Sequence, residues 1–551
     1  MHVYVYMNMR VCIFIHICRQ EARMHAHLHT HTHTHTHTHT HTHTRTHTHT
    51  HAHLIHTTRA DAHTCIQTDE MRAWVCLLIV LVPLADSFCH SAWAIRACSR
   101  PAANAARACS LRATSTSMHA AGTGCGLGFD FGTSGARICV VNGEAHEILH
   151  EDSVPYAEQS PEVWVAAMET LLDRIPAGMR AHITSVAVSG TSASVMLVDA
   201  RTGKATRGGA RMYDFAASKE AVALASSAAP AGHTVRSATS TLAKILQWHQ
   251  ESPIVGEERV AHQADFLAAR LVGTGDGGGY TSDYNNALKI GYDVRALAYP
   301  AWMIQLLVSL SIDAKALLPA VVRPGGNIGL VTESARQRWG LSEGCQVVGG
   351  TTDSIAAFIA AKASKPGQAV SSLGSTLAIK LLSTAPVDDS TYGVYSHRLG
   401  DMWLVGGASN VGCAVLRQEK FSGDELAQLS ARIDPSLDPP DNIRYYPLTQ
   451  KGERFPVNDP AKEPLLVPKP DDRALYLHGI LHGIAQVEAE AYALLARMGA
   501  TPVSEVRTAG GGSVNQMWGT MRERLIKVPV SRAEHTEASY GVALLALDQG
   551  Y

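Results

Sequence analysis

The sequence predicts an α/β or α+β protein in two lobes, starting near Gly126 and preceded by residues of a different composition. Three observations lead there. From Gly126 onward, short apolar runs with strand character alternate with amphipathic segments of helical spacing. A second such unit begins near Ala361. Histidine, cysteine and charge also divide abruptly along the chain. Of 30 His in 551 residues, 20 lie in residues 1–120, together with 10 Arg, no Lys and 5 acidic residues. The other 431 residues carry 37 basic against 44 acidic side chains, a balance of −7. That balance argues against bulk nucleic-acid binding, where a basic surface supplies most of the affinity.

The first stretch divides further. Residues 29–50 alternate His and Thr, broken at Arg45. Alternating His suggests a transition-metal tract, but a CA dinucleotide repeat translated in frame gives the same pattern. Residues 1–70 are therefore expected to be a low-complexity leader ahead of a true start at Met71. Arg72 and the apolar run Ala73–Ala85, too short to cross a bilayer, suit a signal-peptide core. Between Asp86 and Asp130 there is no acid, and Arg96, Arg100, Arg107 and Arg112 lie among Ala, Ser and Thr. That is transit-peptide composition. Residues 71–121 are expected to act as signal plus transit peptide to a plastid, with cytoplasm or mitochondrion as alternatives and no stable membrane association after processing. Eight of the 11 Cys, through Cys125, are placed before the globular pattern, and Cys139, Cys345 and Cys413 within it. Three scattered thiols without C-x-x-C spacing make neither a disulfide framework nor a zinc site.

In the globular stretch, Gly126–Val141 spells strand, glycine turn, strand, followed by strands at Ile183–Ser189 and Ser194–Val198. Val163–Leu172 and Thr241–His249 have helical spacing, and Gly273–Gly279 is a flexible loop. The second unit offers strands at Ala369–Leu373, Ala378–Leu382 and Trp403–Val405 and long helices at Ala474–Arg497 and Ala538–Leu547. Pro435–Asn442 and Arg454–Pro470 are expected to be surface excursions.

The common nucleotide motifs are absent. No G-x-G-x-x-G lies between a strand and a helix, and no G-x-x-x-x-G-K-[ST] occurs, which disfavours a dinucleotide-binding dehydrogenase and a P-loop NTPase. Instead four glycine turns adjoin hydroxyls, carboxylates or amides. They are Gly128–Gly135 (GFDFGTSG), Gly349–Asp353 (GGTTD), Ser371–Thr376 (SSLGST) and Thr508–Asn515 (TAGGGSVN). Any one alone is ordinary turn chemistry. Glycine also lets backbone N–H groups approach an anion, and four such turns in this order are hard to assign to chance.

In that order the four segments resemble those of the FGGY carbohydrate kinases, of the actin/heat-shock-ATPase superfamily, over about Gly124 to Leu547. The resemblance implies two ribonuclease-H-like lobes closing over a cleft, a sugar-binding domain at 122–362 and an ATP-binding domain at 363–551. Asp265-Phe266, Thr281–Asp293 and Lys451–Pro460 look most like the plant and cyanobacterial ribulose branch.

The resemblance then implies roles. Asp353 resembles the catalytic base, which also faces substrate, and Asp130 the carboxylate that positions Mg²⁺. One or two carboxylates suffice for that ion, which keeps several waters. Gly132 and Thr133 match a first phosphate turn, Gly374, Ser375 and Thr376 a second, and Gly511, Gly512 and Asn515 the adenosine segment. Asp283 falls where the family has a sugar-binding carboxylate; the alternative is an Asx turn between Ser282 and Tyr284. Asp214 offers a partial match to a sugar-pocket segment. Lys244 is expected to be a solvated helical lysine, and His478 and His482, four apart without a following Glu, are disfavoured as a zinc pair. The expected activity is ATP- and Mg²⁺-dependent phosphorylation of a ketopentose such as D-ribulose. A xylulose, glycerol or other polyol kinase is the alternative enzyme, and a non-catalytic ATPase switch of the same superfamily the alternative of another class.

Overall fold

A computed structural model describes residues 124–547. The leader and the signal and transit segments predicted at 1–121 lie outside the described residues. Two mixed sheets dominate. The first has strand order β3-β2-β1-β4-β10-β9, with β11 beside β4. Its strands are β1 (Cys125–Phe131), β2 (Gly135–Asn142), β3 (Ile148–Pro155), β4 (Ile183–Gly190), β9 (Asn327–Leu330), β10 (Gln346–Val348) and β11 (Thr351–Thr352). Between β4 and β9 the chain makes two small ribbons. In one, β5 (Val195–Asp199) pairs with β6 (Glu258–His262); in the other, β7 (Thr281–Asp283) pairs with β8 (Ala320–Val322).

The second sheet has order β14-β15-β13-β12-β16-β17. It comprises β12 (Gln368–Leu373), β13 (Leu377–Ser383), β14 (Tyr395–Leu399), β15 (Met402–Ser409), β16 (Glu505–Ala509) and β17 (Val530–Arg532). The two sheets share a plan. A founding strand, β1 or β12, pairs antiparallel with the next strand and parallel with a later one, β4 or β16. This repeated mixed sheet is the two-lobed α/β architecture that the resemblance implies.

Eight of the helices position the rest: α1 (Pro161–Arg174), α2 (Thr241–Glu251), α3 (Gln263–Val272), α4 (Asp353–Ala360), α5 (Gly423–Ser430), α6 (Arg473–Arg497), α7 (Gln516–Ile526) and α8 (Ala538–Ala546). The start of α1 follows from its sequence. Ser160 caps it by accepting from the Val163 N–H, and Pro161 supplies the preset φ of a first turn. Trp164, Met168, Leu171 and Leu172 then fall on one face, turned into the core between this helix, β2, β3 and α3. Leu127, Phe129 and Phe131 of β1 point into that same core.

The opposite face of β1 is built for close approach. A Cβ on Gly128 would lie 2.2 Å from the Ser539 carbonyl oxygen and 2.3 Å from the Ala543 nitrogen; one on Gly126 would lie 2.6 Å from the Ala543 oxygen. Helix α8 can therefore lie directly on β1, and the same device recurs where Gly541 of α8 meets the Ala356 carbonyl of α4. The pair α4–α8 fills the space between the sheets. Ile355, Phe358 and Ile359 pack with Tyr540 and Leu544 and with Val370, Leu382 and Leu404 of the second sheet. A cut at 362/363 thus follows α4, while the last described helix returns from the second stretch to the first sheet.

Three expectations change. Cys125 belongs to β1 and is buried, so four thiols, all free, lie among the described residues. Ser194–Val198 forms a strand, but in the β5–β6 ribbon instead of the main sheet. Arg454–Pro470 is anchored at its start, where Phe455 is fully buried against Gly407 of β15.

Gly128→Val should cost about 1–3 kcal/mol or more through overpacking of α8 on β1. Gly178→Ala, at a site with no atom within 4 Å of the new carbon, should stay within about 0.5 kcal/mol. Denaturant midpoints check both; an unchanged midpoint for the valine variant would contradict the close packing.

Candidate functional site

Asp130 lies near the C-terminal end of β1, opposite Arg137 of β2 and Ser189 of β4 in the sheet register. The Ser189 hydroxyl donates to its Oδ1 at 2.8 Å, and the Arg137 guanidinium stands 3.6 Å from Oδ2. Only 4% of the residue is exposed. Burial pushes its pKa up to about 6, the Ser189 hydrogen bond opposes that, and the neighbouring charge of Asp353 adds to it. Arg137 also faces Glu537 at 3.5 Å, just ahead of α8.

Asp353 is the first residue of α4. It arrives there because β11 continues beside β4, with Thr351 opposite Ser189 and Thr352 opposite Gly190. Gly350 permits this, since a Cβ there would meet the Val188 carbonyl oxygen at 1.7 Å. The carboxylate is half-buried and accepts from the Ser354 N–H at 2.6 Å. Burial raises its pKa above the usual carboxylate range, opposed by that hydrogen bond and by the charge of Lys380 on β13. Asp130 and Asp353 therefore flank the end of β4 closely enough to feel each other's charge. Among the described residues there is no cluster of three or more His, Cys, Asp or Glu suited to a metal. A site for Mg²⁺ does not need one: a single buried carboxylate beside a phosphate chain, with water completing the shell, is the chemistry that ion prefers. Asp130 fits that description.

The predicted phosphate turns are both hairpin ends. Gly132–Gly135 joins β1 to β2, and its carbonyls are tied down by the Tyr156 hydroxyl on Gly132 and by Gln159 on Thr133, each at 2.5 Å. The Thr133 side of this turn remains exposed. The turn 374–376 joins β12 to β13. The Cys413 N–H bonds to the Gly374 carbonyl at 2.8 Å, and Arg417 reaches the Ser375 hydroxyl at 2.8 Å. Cys413 and Arg417 also border a cavity of about 630 Å³, whose other walls include Gly511, Gly512, Asn515 and Leu426. The structure thus brings the expected adenosine segment and the second turn together. Asn515 shapes this wall: its Oδ1 caps α7 on the Trp518 N–H and its Nδ2 donates to Ser430.

The surroundings of Asp283 are local. The residue is 2% exposed, its Oδ1 accepts from the Asn285 and Asn286 N–H groups, and its Oδ2 accepts from the Asn286 side chain at 2.6 Å. The Asx turn weighed as the alternative is therefore formed, with Oδ1 capping two N–H groups and Oδ2 holding one side chain. Its consequence is to aim Asn285, which donates to the Thr351 hydroxyl at 3.0 Å while its own Oδ1 has no hydrogen-bond partner. Ser192 Oγ, Gln263 Nε2 and Thr352 Oγ1 are likewise buried without a partner. Gln263 is tied by its Oε1 to the Thr191 N–H at 2.9 Å, Thr352 pairs with Gly190, Asn285 reaches Thr351 beside Ser189, and Ser192 follows the end of β4 by two residues. Unpaired buried polar atoms cost about 1–3 kcal/mol each, and four of the nine among the described residues belong to segments around the end of β4, a setting that suits a hydroxyl-rich ligand.

Lys244 is corrected. It is fully buried, and its amine donates to the carbonyls of Ala193 at 2.8 Å and Met212 at 2.7 Å. It staples the segment after β4 to the one leading to Asp214, which is exposed. His478 and His482 bond instead to Leu437 and Asp438 of the Pro/Asp-rich excursion. Arg137, Asn285, Gln263 and Lys380 were not singled out from sequence. Arg137 alone left a signal, as the one charge in the apolar run Gly135–Val141.

Residues 125–360 match the family described as "FGGY family of carbohydrate kinases, N-terminal domain". A xylulose kinase from Streptomyces rubiginosus is 27% identical over 295 residues, which is 51% of this chain and 55% of that protein; the chain matches about half of that relative's length. A solved structure described as a xyloylose kinase from Brucella ovis aligns with a TM-score of 0.66 at 23% identity, over 77% of this chain and 90% of that one. A Plasmodium falciparum glycerol kinase solved with ADP aligns with a TM-score of 0.63 at 17% identity, over 77% and 88%. The two structures establish the fold. The likeness of this chain to FGGY carbohydrate kinases rests on the match at 125–360 and on the Streptomyces relative.

Proposed function

We propose that this FGGY-type chain is an ATP-dependent kinase that transfers the γ-phosphate to a hydroxyl of a ketopentose. The observation that carries the reading is the pair Asp130–Asp353 at the end of β4, with unpaired buried donors and acceptors on one side and glycine turns on the other. The acceptor hydroxyl, held among Ser192, Gln263, Asn285 and Thr352, attacks the γ-phosphorus. Its proton passes to the Asp353 carboxylate, the bond from phosphorus to the bridging oxygen breaks, and ADP departs. The cavity beside Gly511, Gly512 and Asn515 suits the adenosine, and the turns at 132–133 and 374–376 suit the phosphates through N–H groups and hydroxyls. A Mg²⁺ ion held by Asp130 would neutralise phosphate charge. D-Ribulose is our first choice of sugar, resting on the segments Thr281–Asp293 and Lys451–Pro460. Xylulose is the second reading, favoured by the name of the Streptomyces relative.

Asp353→Asn should reduce kcat by about 100-fold or more, since positioned general bases contribute about 10²–10⁴-fold, while ATP affinity is retained. Retained kcat would overturn the assignment. Asp130→Ala should raise the Mg²⁺ concentration needed for half-maximal rate, and an unchanged requirement would contradict its role. The base must be ionised to accept a proton, and burial raises the Asp353 pKa. The acidic limb of kcat/KM against pH should therefore lie above the ordinary aspartate range, with activity lost on acidification. A limb at or below about pH 4 would contradict it.

A further inference from the structure

Lys380 lies on β13, in the sheet of the second lobe, and its amine donates a hydrogen bond to the carbonyl of Ser354 on α4. Scaffolding explains this contact poorly. A cation at the first turn of a helix opposes the helix dipole. Burial also disfavours the charged amine, whose pKa falls to about 8 with only the charge of Asp353 opposing the fall. The Ser354 carbonyl gains little, because a first-turn carbonyl already accepts from the N–H four residues on. The contact does link two parts of the candidate site. The β12–β13 hairpin that carries Lys380 is the one that ends in the 374–376 turn, with Leu373 opposite Leu377 and Val370 opposite Lys380. One rigid hairpin thus reaches from the phosphate side of the cleft to the turn on which Asp353 stands.

We propose that Lys380 is a positioning residue, which couples the phosphate-binding hairpin of the second lobe to the orientation of the Asp353 carboxylate. The proposal rests on the kinase reading above. When the hairpin settles on the triphosphate, the Lys380 amine draws the first turn of α4 into register, so that the base is aligned only in the closed, nucleotide-loaded cleft. Its charge also favours the carboxylate form of Asp353. Asp130 on β1 faces the same carboxylate, and His397 on β14 faces Lys380.

The test compares full-length wild type with Lys380→Met and Lys380→Arg, measuring kcat, KM for ATP and for the sugar, and thermal midpoint. The methionine variant should lose about 100-fold in kcat, the scale of a misplaced catalytic group, with both KM values within about threefold. Its thermal midpoint should be unchanged or higher, because the half-buried amine is costly to desolvate and the Ser354 carbonyl it leaves keeps its helical partner. The arginine variant should recover at least about a tenth of the wild-type kcat, since it restores a donor to the Ser354 carbonyl. Unchanged kcat in the methionine variant would overturn the proposal. So would a kcat loss accompanied by a lower thermal midpoint, or an arginine variant no better than methionine. A wild-type chain without sugar-dependent turnover would remove the kinase reading and this proposal with it, whereas an active wild type with an unaffected methionine variant would remove this proposal alone.

Discussion

The stacking of α4 on α8, and of α8 on β1, governs where the carboxylates of the cleft can stand. Three glycines make it possible: Gly126 and Gly128 on β1 and Gly541 on α8 remove side chains where backbones touch. With α8 flush against the strand, α4 can begin immediately beside the end of β4. Its first residue, Asp353, then stands near enough to Asp130, one residue short of the end of β1, for its charge to raise the Asp130 pKa. Packing at native density transmits this arrangement, since displacing α8 would carry α4 and Asp353 with it.

The electrostatics follow from that placement. A buried Asp130 beside a half-buried Asp353 destabilises the charged form, and the fold answers with few compensations. Ser189 and Arg137 hold Asp130, while the Ser354 N–H and the charge of Lys380 favour ionised Asp353. The globular stretch carries net negative charge, so an anionic ligand cannot be held by overall field. On the proposed function, directed groups hold it instead, namely backbone amides of the glycine turns, the hydroxyls of Thr133, Ser375 and Thr376, and Arg417 beside Ser375. In the wall of the neighbouring cavity, Asn515 spends its own polar groups locally.

Local pattern carried much of this into the sequence. The strands at Ile183 and Ala369, the helices at Thr241 and Ala474 and all four glycine turns could be read from periodicity and turn chemistry, because each is decided within a few residues. Asp353 and Asp130 were legible for the same reason, each being attached to a turn. What stayed hidden depends on partners far along the chain. Gln263 matters because it meets Thr191, Asn285 because it meets Thr351, and Lys380 because it meets Ser354; no spacing rule announces such contacts. Lys244 misled because helical spacing cannot tell a solvated lysine from one buried on two carbonyls. Asp283 shows the reverse, its Asx geometry being local and therefore visible as an alternative. Cys125 was assigned to the wrong side of a boundary that the strand crosses by one residue.

The most direct measurement supplies the full chain with γ-labelled ATP, Mg²⁺ and a panel of pentuloses, pentoses and polyols, and follows both ADP and labelled sugar phosphate. The expected result is label appearing on a ketopentose, with ADP release that depends on the sugar and matches the label transferred. Sugar-independent ADP release with no labelled sugar across the whole panel would contradict phosphotransfer by the Asp130–Asp353 cleft.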